Sequence, residues 1–391
     1  MRTSKLYLGM SGQFESDVRR RVGANLDELH RLAQRICQAA LAPARASRDL
    51  PPVIQILERR AGECFMGQLS RAFGFRLLGR EDDADRAFRR ATELVPDGDP
   101  WSHLVPDTAE WRAPTRPAAL VEEEPGHVYR IAGETRAEGA VFGTLGVGRF
   151  LRMQSGELVY VNPVPLADEV VAEVRRLGSV AHVIAPAKYH FAHVTGAARA
   201  FPGARVWGVP AHRGFARVAR IPFDGYLDDA APLYPGELEQ LTIDGNDIGD
   251  VWLLYRRTRT LMTTDALFFA GPVAADAADF DSPFRRFYAW AWGVADRTGV
   301  PSYQPPMWRD LRAFGASLAR AFDLEFDTVA YNHGSWRAIP REGREQLRAA
   351  LGFVTKLKTL DALRLTFDFV RRHPGFTYRE LASRPTQPHN R

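Results

Sequence analysis

"YVNPVPLADEVVAEVRRLGSVAHVIAPAKYHFAHVTGAARAFPGARVWG", residues 160–208, changes period several times. An apolar strand end gives way to "LADEVVAEVRRLG" (166–178), whose apolar residues recur at helical spacing until Gly178 stops them. "VAHVIAP" (180–186) is a short, almost wholly apolar run with the length and β-branched content of a buried strand. Next come two histidines, His190 and His193, and then "TGAARAFPGARVWGVP" (195–210), a short helix, a Pro-Gly turn and another strand. Strands interleaved with helices predict a layered α/β domain. The histidine pair poses a choice between the remnant of a metal site and two polar side chains at the mouth of a helix.

The flanks extend the same texture. "HVYRIAG" (127–133), "GRFLRMQ" (148–154) and "ELVYVNPV" (157–164) are β-prone pieces separated by glycine or a Ser-Gly turn. "DVWLLYRRTRTLMTTDALFF" (250–269) is two apolar runs around Arg256 to Arg259, with Asp265 at the far end of the second. "FDTVAYNHGSW" (326–336) delivers His333 at the end of a further strand. Between them, residues 270–326 are an aromatic, helix-rich insertion, read as a packing subdomain in preference to a lid. Residues 356–391 read as a C-terminal helix and a frayed tail.

Residues 1–97 read as an α-helical N-terminal region. Val18, Val22, Leu26, Leu29, Leu32 and Ile36 mark one apolar face, with Ser16 as N-cap. Ala84, Ala87, Phe88, Ala91 and Leu94 mark another, after a Leu78-Gly79 turn that resembles a single tetratricopeptide-like hairpin. One such unit cannot bury its own face, and no second copy stands at a fixed period, so the reading is an ordinary helical hairpin that packs on its neighbours or takes a protein partner. Residues 98–117 form a proline-rich linker, and residues 118–355 the α/β domain.

At 391 residues the chain has room for two units, and 45% hydrophobic with 25% charged residues is globular composition. The net charge of +5 comes almost wholly from arginine, since the only lysines are Lys5, Lys188, Lys356 and Lys358. Those arginines are spread among acidic residues without a basic, aromatic-laced face, which argues against nucleic acid. Cys37 and Cys64 show no metal-finger spacing and read as inert buried thiols. No run of about 18 apolar residues exists, so neither a membrane span nor a signal peptide is expected, and the expected location is cytoplasmic.

Three strand ends thus present metal-competent residues: His190 and His193, then Asp265, then His333. Sites in α/β domains form beyond the carboxyl ends of strands, where separate segments converge. Imidazole and carboxylate donors suit zinc, iron or manganese.

The order of these strands, the paired histidines, "LMTTD" and "VAYNHGS" resembles the metallo-β-lactamase-fold hydrolases, closest to an uncharacterised branch known only as a domain of unknown function. The resemblance spans roughly residues 118–355. It implies an αβ/βα sandwich with metals at one edge, held by an HxHxDH motif, a later histidine, a bridging aspartate and a final histidine-glycine. Carried over by position, "KYHFAH" has Lys188 for the first histidine, His190 for the second, Ala192 for the aspartate and His193 for the last. Asn246 stands near the later histidine, Asp265 at the bridging aspartate and His333-Gly334 at the final pair. The first metal would keep only His190 of its histidines. The second would keep His193, His333 and Asp265, a minimal catalytic set with an open position. The resemblance therefore implies at most one divalent metal, held by His193, Asp265 and His333 with His190 in reserve, and hydrolysis of a small ester, lactone, thioester or phosphoester. Lys188, Tyr189 and Asn246 are the candidate polarising or donor residues. The competing reading is a metal-free or inactive protein of the same fold that binds a ligand or partner.

Overall fold

The five residues Val251–Tyr255 are buried on both faces, and the two faces feed different cores. Val251, Leu253 and Tyr255 join one cluster, Trp252 and Leu254 another. A strand without a solvent face belongs inside a layered structure, and that is where it lies.

The computed structural model describes residues 26–41, 43–62, 64–94, 119–135, 144–188, 190–191, 193–213, 221–228, 232–246, 248–269, 287, 291, 298–300, 304, 307–332 and 342–357. Ser16, Val18, Val22, the linker 98–117 and the tail beyond 357 lie outside them. Four helices come first: α1 (Leu26–Leu41), α2 (Pro43–Ala61), α3 (Phe65–Leu77) and α4 (Glu81–Leu94).

A seven-stranded sheet follows, β1 (Val121–Glu124), β2 (Val128–Thr135), β3 (Thr144–Arg152), β4 (Leu158–Val161), β5 (Val180–Ile184), β6 (Arg205–Gly208) and β7 (Gly225–Tyr226), in sequence order. It is antiparallel from β1 to β4 and parallel from β4 to β7. The parallel half needs crossovers, supplied after β4 by α5 (Asp168–Leu177) and after β5 by α6 (Val194–Ala200).

A four-stranded sheet takes the order β13 (Thr328–Tyr331), β10 (Thr260–Thr263), β9 (Val251–Tyr255), β8 (Leu238–Thr242). Only β10 and β13 pair in parallel within it. Between β10 and β13 come a two-stranded ribbon, β11 (Phe268–Phe269) with β12 (Thr298–Gly299), and then α7 (Leu311–Asp323); α8 (Gly343–Leu351) follows β13.

Side-chain parity assigns the layers. Val159, Val161 and Ile184 of the first sheet meet Leu253, Met262 and Ala330 of the second in a shared core. On the outer face of the first sheet Phe150, Tyr160 and Val183 pack with Val170 and Val174 of α5 and Val194 of α6. On that of the second, Leu254, Leu261 and Tyr331 pack with Phe314 and Leu318 of α7 and Leu347 of α8. Helix, sheet, sheet, helix is the αβ/βα sandwich expected from the sequence. Helix α7, drawn from the end of the stretch read as an insertion, covers the second sheet together with α8.

The N-terminal helices have their own core around Ile36, Leu57, Phe73 and Phe88, and it takes in Phe287 and Ala291 from the aromatic stretch. The Phe73 and Phe287 rings lie 4.8 Å apart. These residues of the stretch therefore pack against helices. Helices α3 and α4 are joined across Leu78-Gly79. Cys64 caps α3, its sulfur accepting the Gly67 N–H at 3.3 Å, and burial pushes its thiol pKa up.

Candidate functional site

The carboxyl ends of β4, β5, β10 and β13 come together at one edge of the sandwich, joined by main-chain hydrogen bonds. Asn332, just past β13, donates its N–H to Thr263 of β10 at 3.1 Å and accepts from Val147 of β3 at 3.0 Å, so it ties both sheets. The segment after β5 is fixed in the same way. Val251 donates to Pro186 at 2.8 Å and Lys188 to Ile248 at 3.1 Å.

Within this frame His190 is brought onto Asp265. The imidazole Nε2 lies 2.9 Å from Asp265 Oδ1, with the two side chains only 5% and 7% exposed. On its other side Nδ1 lies 2.5 Å from Asn162 Oδ1. The Asn162 amide is oriented by its own nitrogen, which donates to the Val147 carbonyl at 3.0 Å and to the Asn332 carbonyl at 3.4 Å. Its oxygen is thus an acceptor for the ring N–H at Nδ1, and the ring and carboxylate share the hydrogen bond at Nε2. Asn162 has φ +56°, in the left-handed region that asparagine tolerates. Gly148 makes room for it, since a Cβ there would stand 2.8 Å from the Asn162 carbonyl oxygen.

Two further carboxylates shape the edge. Asp250, fully buried ahead of β9, accepts the Ala266 N–H at 2.9 Å and so holds the turn that carries Asp265. Burial, and then the charge of Asp265, push its pKa well above the ordinary carboxylate value. Glu123 of β1 pairs with the fully buried Arg149 at 2.7 Å. Arg149 in turn donates to the Tyr331 carbonyl at 2.9 Å and to Asn332 Oδ1 at 3.3 Å, fixing the chain just before His333.

His193 stands one turn beyond His190, at the start of α6. Its Nε2 is buried with no hydrogen-bond partner among the described residues, and burial lowers its pKa, which keeps the ring neutral. Asn246 is buried; its oxygen accepts the Ile248 N–H at 3.0 Å, while its amide nitrogen has no partner among the described residues. Lys188 is half-buried, and its carbonyl accepts from His212 Nε2 at 3.1 Å. Tyr189, Ala192 and His333 lie outside the described residues.

The two metal positions fare differently. Among the described residues no three His, Cys, Asp or Glu side chains gather as a metal requires. At the first position Lys188 and Asn246 are not ligand types and His190 is engaged by Asp265, so the residues there do not fit a metal. At the second, His193 offers a neutral, buried nitrogen and Asp265 a carboxylate, donor types that fit a zinc-like ion.

Four residues of this edge escaped the sequence reading: Asn162, His212, Asp250 and Arg149. Asn162 directly follows the apolar strand β4, a stronger form of the strand-end signal that Asp265 carries two residues past β10. Asp250 precedes its strand, and the search for strand carboxyl ends passes over it.

No family model and no curated protein matches the chain. Solved structures do. A DIM-1 metallo-β-lactamase structure aligns at 9% identity over 62% of this chain and 99% of its own, with a TM-score of 0.43. The metallo-β-lactamase from Hirschia baltica aligns at 11% over 61% and 98%, with a TM-score of 0.40. That from Pontibacter korlensis aligns at 11% over 61% and 100%, with a TM-score of 0.41. These three solved structures are what the chain is similar to, each at 9% or 11% identity.

Proposed function

We propose that the chain is a hydrolase-type protein of this fold that binds at most one divalent metal, through His193, Asp265 and His333, and acts on a small ester, lactone, thioester or phosphoester. The observation that carries the reading is the buried Nε2 of His193, neutral and without a partner among the described residues. A buried polar atom left unsatisfied costs about 1–3 kcal/mol, and a metal would satisfy it. When bound, the metal supplies Lewis acidity, polarising a carbonyl or phosphoryl oxygen and acidifying water. Lys188 offers an ammonium group for charge that develops on substrate oxygen, and the Asn246 amide a buried donor. Ala192 provides no base, and burial pushes the Asp250 carboxyl pKa well above its ordinary value.

A second reading rests on the His190–Asp265 contact: a cluster already closed by its own hydrogen bonds suits a metal-free protein that binds a ligand or partner. Metal analysis separates the two. Protein purified without added zinc should hold about one metal per chain, lost in His193→Ala, and a screen of esters and phosphoesters should lose its activity in Asp265→Ala with folding retained. A content below about 0.2 per chain, unchanged by His193→Ala, establishes the metal-free reading instead.

A further inference from the structure

A continuous chain of hydrogen bonds, buried at its start and part-buried at His190, runs from Arg149 through Asn332 and Asn162 to His190 and Asp265. Each member is oriented by the one before it. Arg149 is fixed by Glu123, Asn332 by both sheets, and the Asn162 amide by the Val147 and Asn332 carbonyls. The only part of this chain facing the proposed metal ligand is the imidazole, and it presents Nε2 to a single oxygen, Oδ1 of Asp265, at 2.9 Å.

We infer that His190 is a positioning residue for the Asp265 carboxylate, and not a metal ligand, with Asn162 setting the plane and tilt of its ring. This rests on the mononuclear reading above and deepens it. Both ring nitrogens are engaged, one by Asn162 and one by Asp265, so binding a metal would require the ring to break one of these two part-buried bonds. Held at Oδ1, the carboxylate has its rotation about χ2 fixed. Hydrogen-bonded partners of this kind orient metal-binding carboxylates, and their loss weakens metal binding without abolishing it.

The full-length chain, stripped with a chelator and titrated with zinc, tests this. His190→Gln and Asn162→Gly should still bind one zinc, with affinity lower by about 10- to 100-fold. X-ray absorption at the zinc edge should count the same number of imidazoles in wild type and His190→Gln. Loss of zinc uptake in His190→Gln, or one imidazole fewer, overturns the inference. A second readout needs no metal: in the stripped protein NMR should show a slowly exchanging His190 ring N–H in wild type and in Asn162→Asp, which keeps the acceptor, and not in Asn162→Gly. Its absence from wild type, or its survival in Asn162→Gly, overturns the inference. If wild type takes no zinc while the ring signal behaves as described, the mononuclear reading fails and the positioning role of Asn162 stands.

Discussion

His212 is uncharged in the folded chain because both of its nitrogens are spoken for inside the protein. Nδ1 accepts the Val209 N–H at 2.9 Å, Nε2 donates to the Lys188 carbonyl at 3.1 Å, and the ring stacks on Phe223 at 4.8 Å. Burial is the largest cause pushing its pKa from 6.5 to about 4. The unfolded chain therefore binds a proton that the fold refuses. The stabilisation is fully present above pH 6.5 and is lost as pH falls towards 4, an effect on the order of 3 kcal/mol. Urea midpoints should fall across that window in wild type. His212→Gln should start lower at pH 7 and fall less, because it has no ring to protonate; equal acid slopes in the two proteins would refute this. A lone histidine in "VPAHRG" gives no hint of such a role, since both partners are main-chain atoms and one of them, the Lys188 carbonyl, is brought to it by the fold. His190, His193 and Asp265 were legible for a different reason: each lies a few residues past the end of an apolar run, where strand ends gather polar side chains at one edge.

At the scale of the element, the turn between β8 and β9 illustrates what packing demands of backbone. Gly245 has φ +77°, and a Cβ there would collide with the Asp310 carbonyl and lie 2.5 Å from the Phe314 nitrogen. The start of α7 is docked onto this turn. Arg309 and Asp310 donate to the Gly245 carbonyl at 2.9 and 3.1 Å, and Asp310 caps the helix by accepting from Arg312 and Ala313. Gly245→Ala should thus cost roughly 2–4 kcal/mol, from left-handed strain and a backbone clash that no rotamer relieves. Asp310→Ala, which removes only the cap, should cost about 1 kcal/mol. Denaturant melts that rank the two the other way would refute the docking argument. Strand β9 and helix α5 were legible because length, period and Gly178 agreed. Strand β1 was not, since "VEEE" has no alternation of apolar and polar residues, and its pairing with β2 is stabilised by Glu123 reaching the buried Arg149, a partner 26 residues away.

For the whole molecule, the legible part was the order of strands and helices; the hidden part was which chain ends meet. Parallel pairing of β10 with β13 spans the aromatic stretch and α7, and His190 and Asp265 follow strands of different sheets, so their convergence depends on sheet packing no local pattern encodes. The packing of Phe287 into the N-terminal helical core is equally non-local. No helix among the described residues is long and apolar enough to cross a membrane. On the proposed reading, this edge keeps one metal position and His190 closes the other. Anomalous diffraction at the zinc edge, from crystals grown with zinc, tests it most directly. One peak is expected, about 2.0–2.2 Å from His193 Nε2 and from an Asp265 oxygen, with His190 still bonded to Asn162. Two peaks, or a single peak bound by His190, would contradict it.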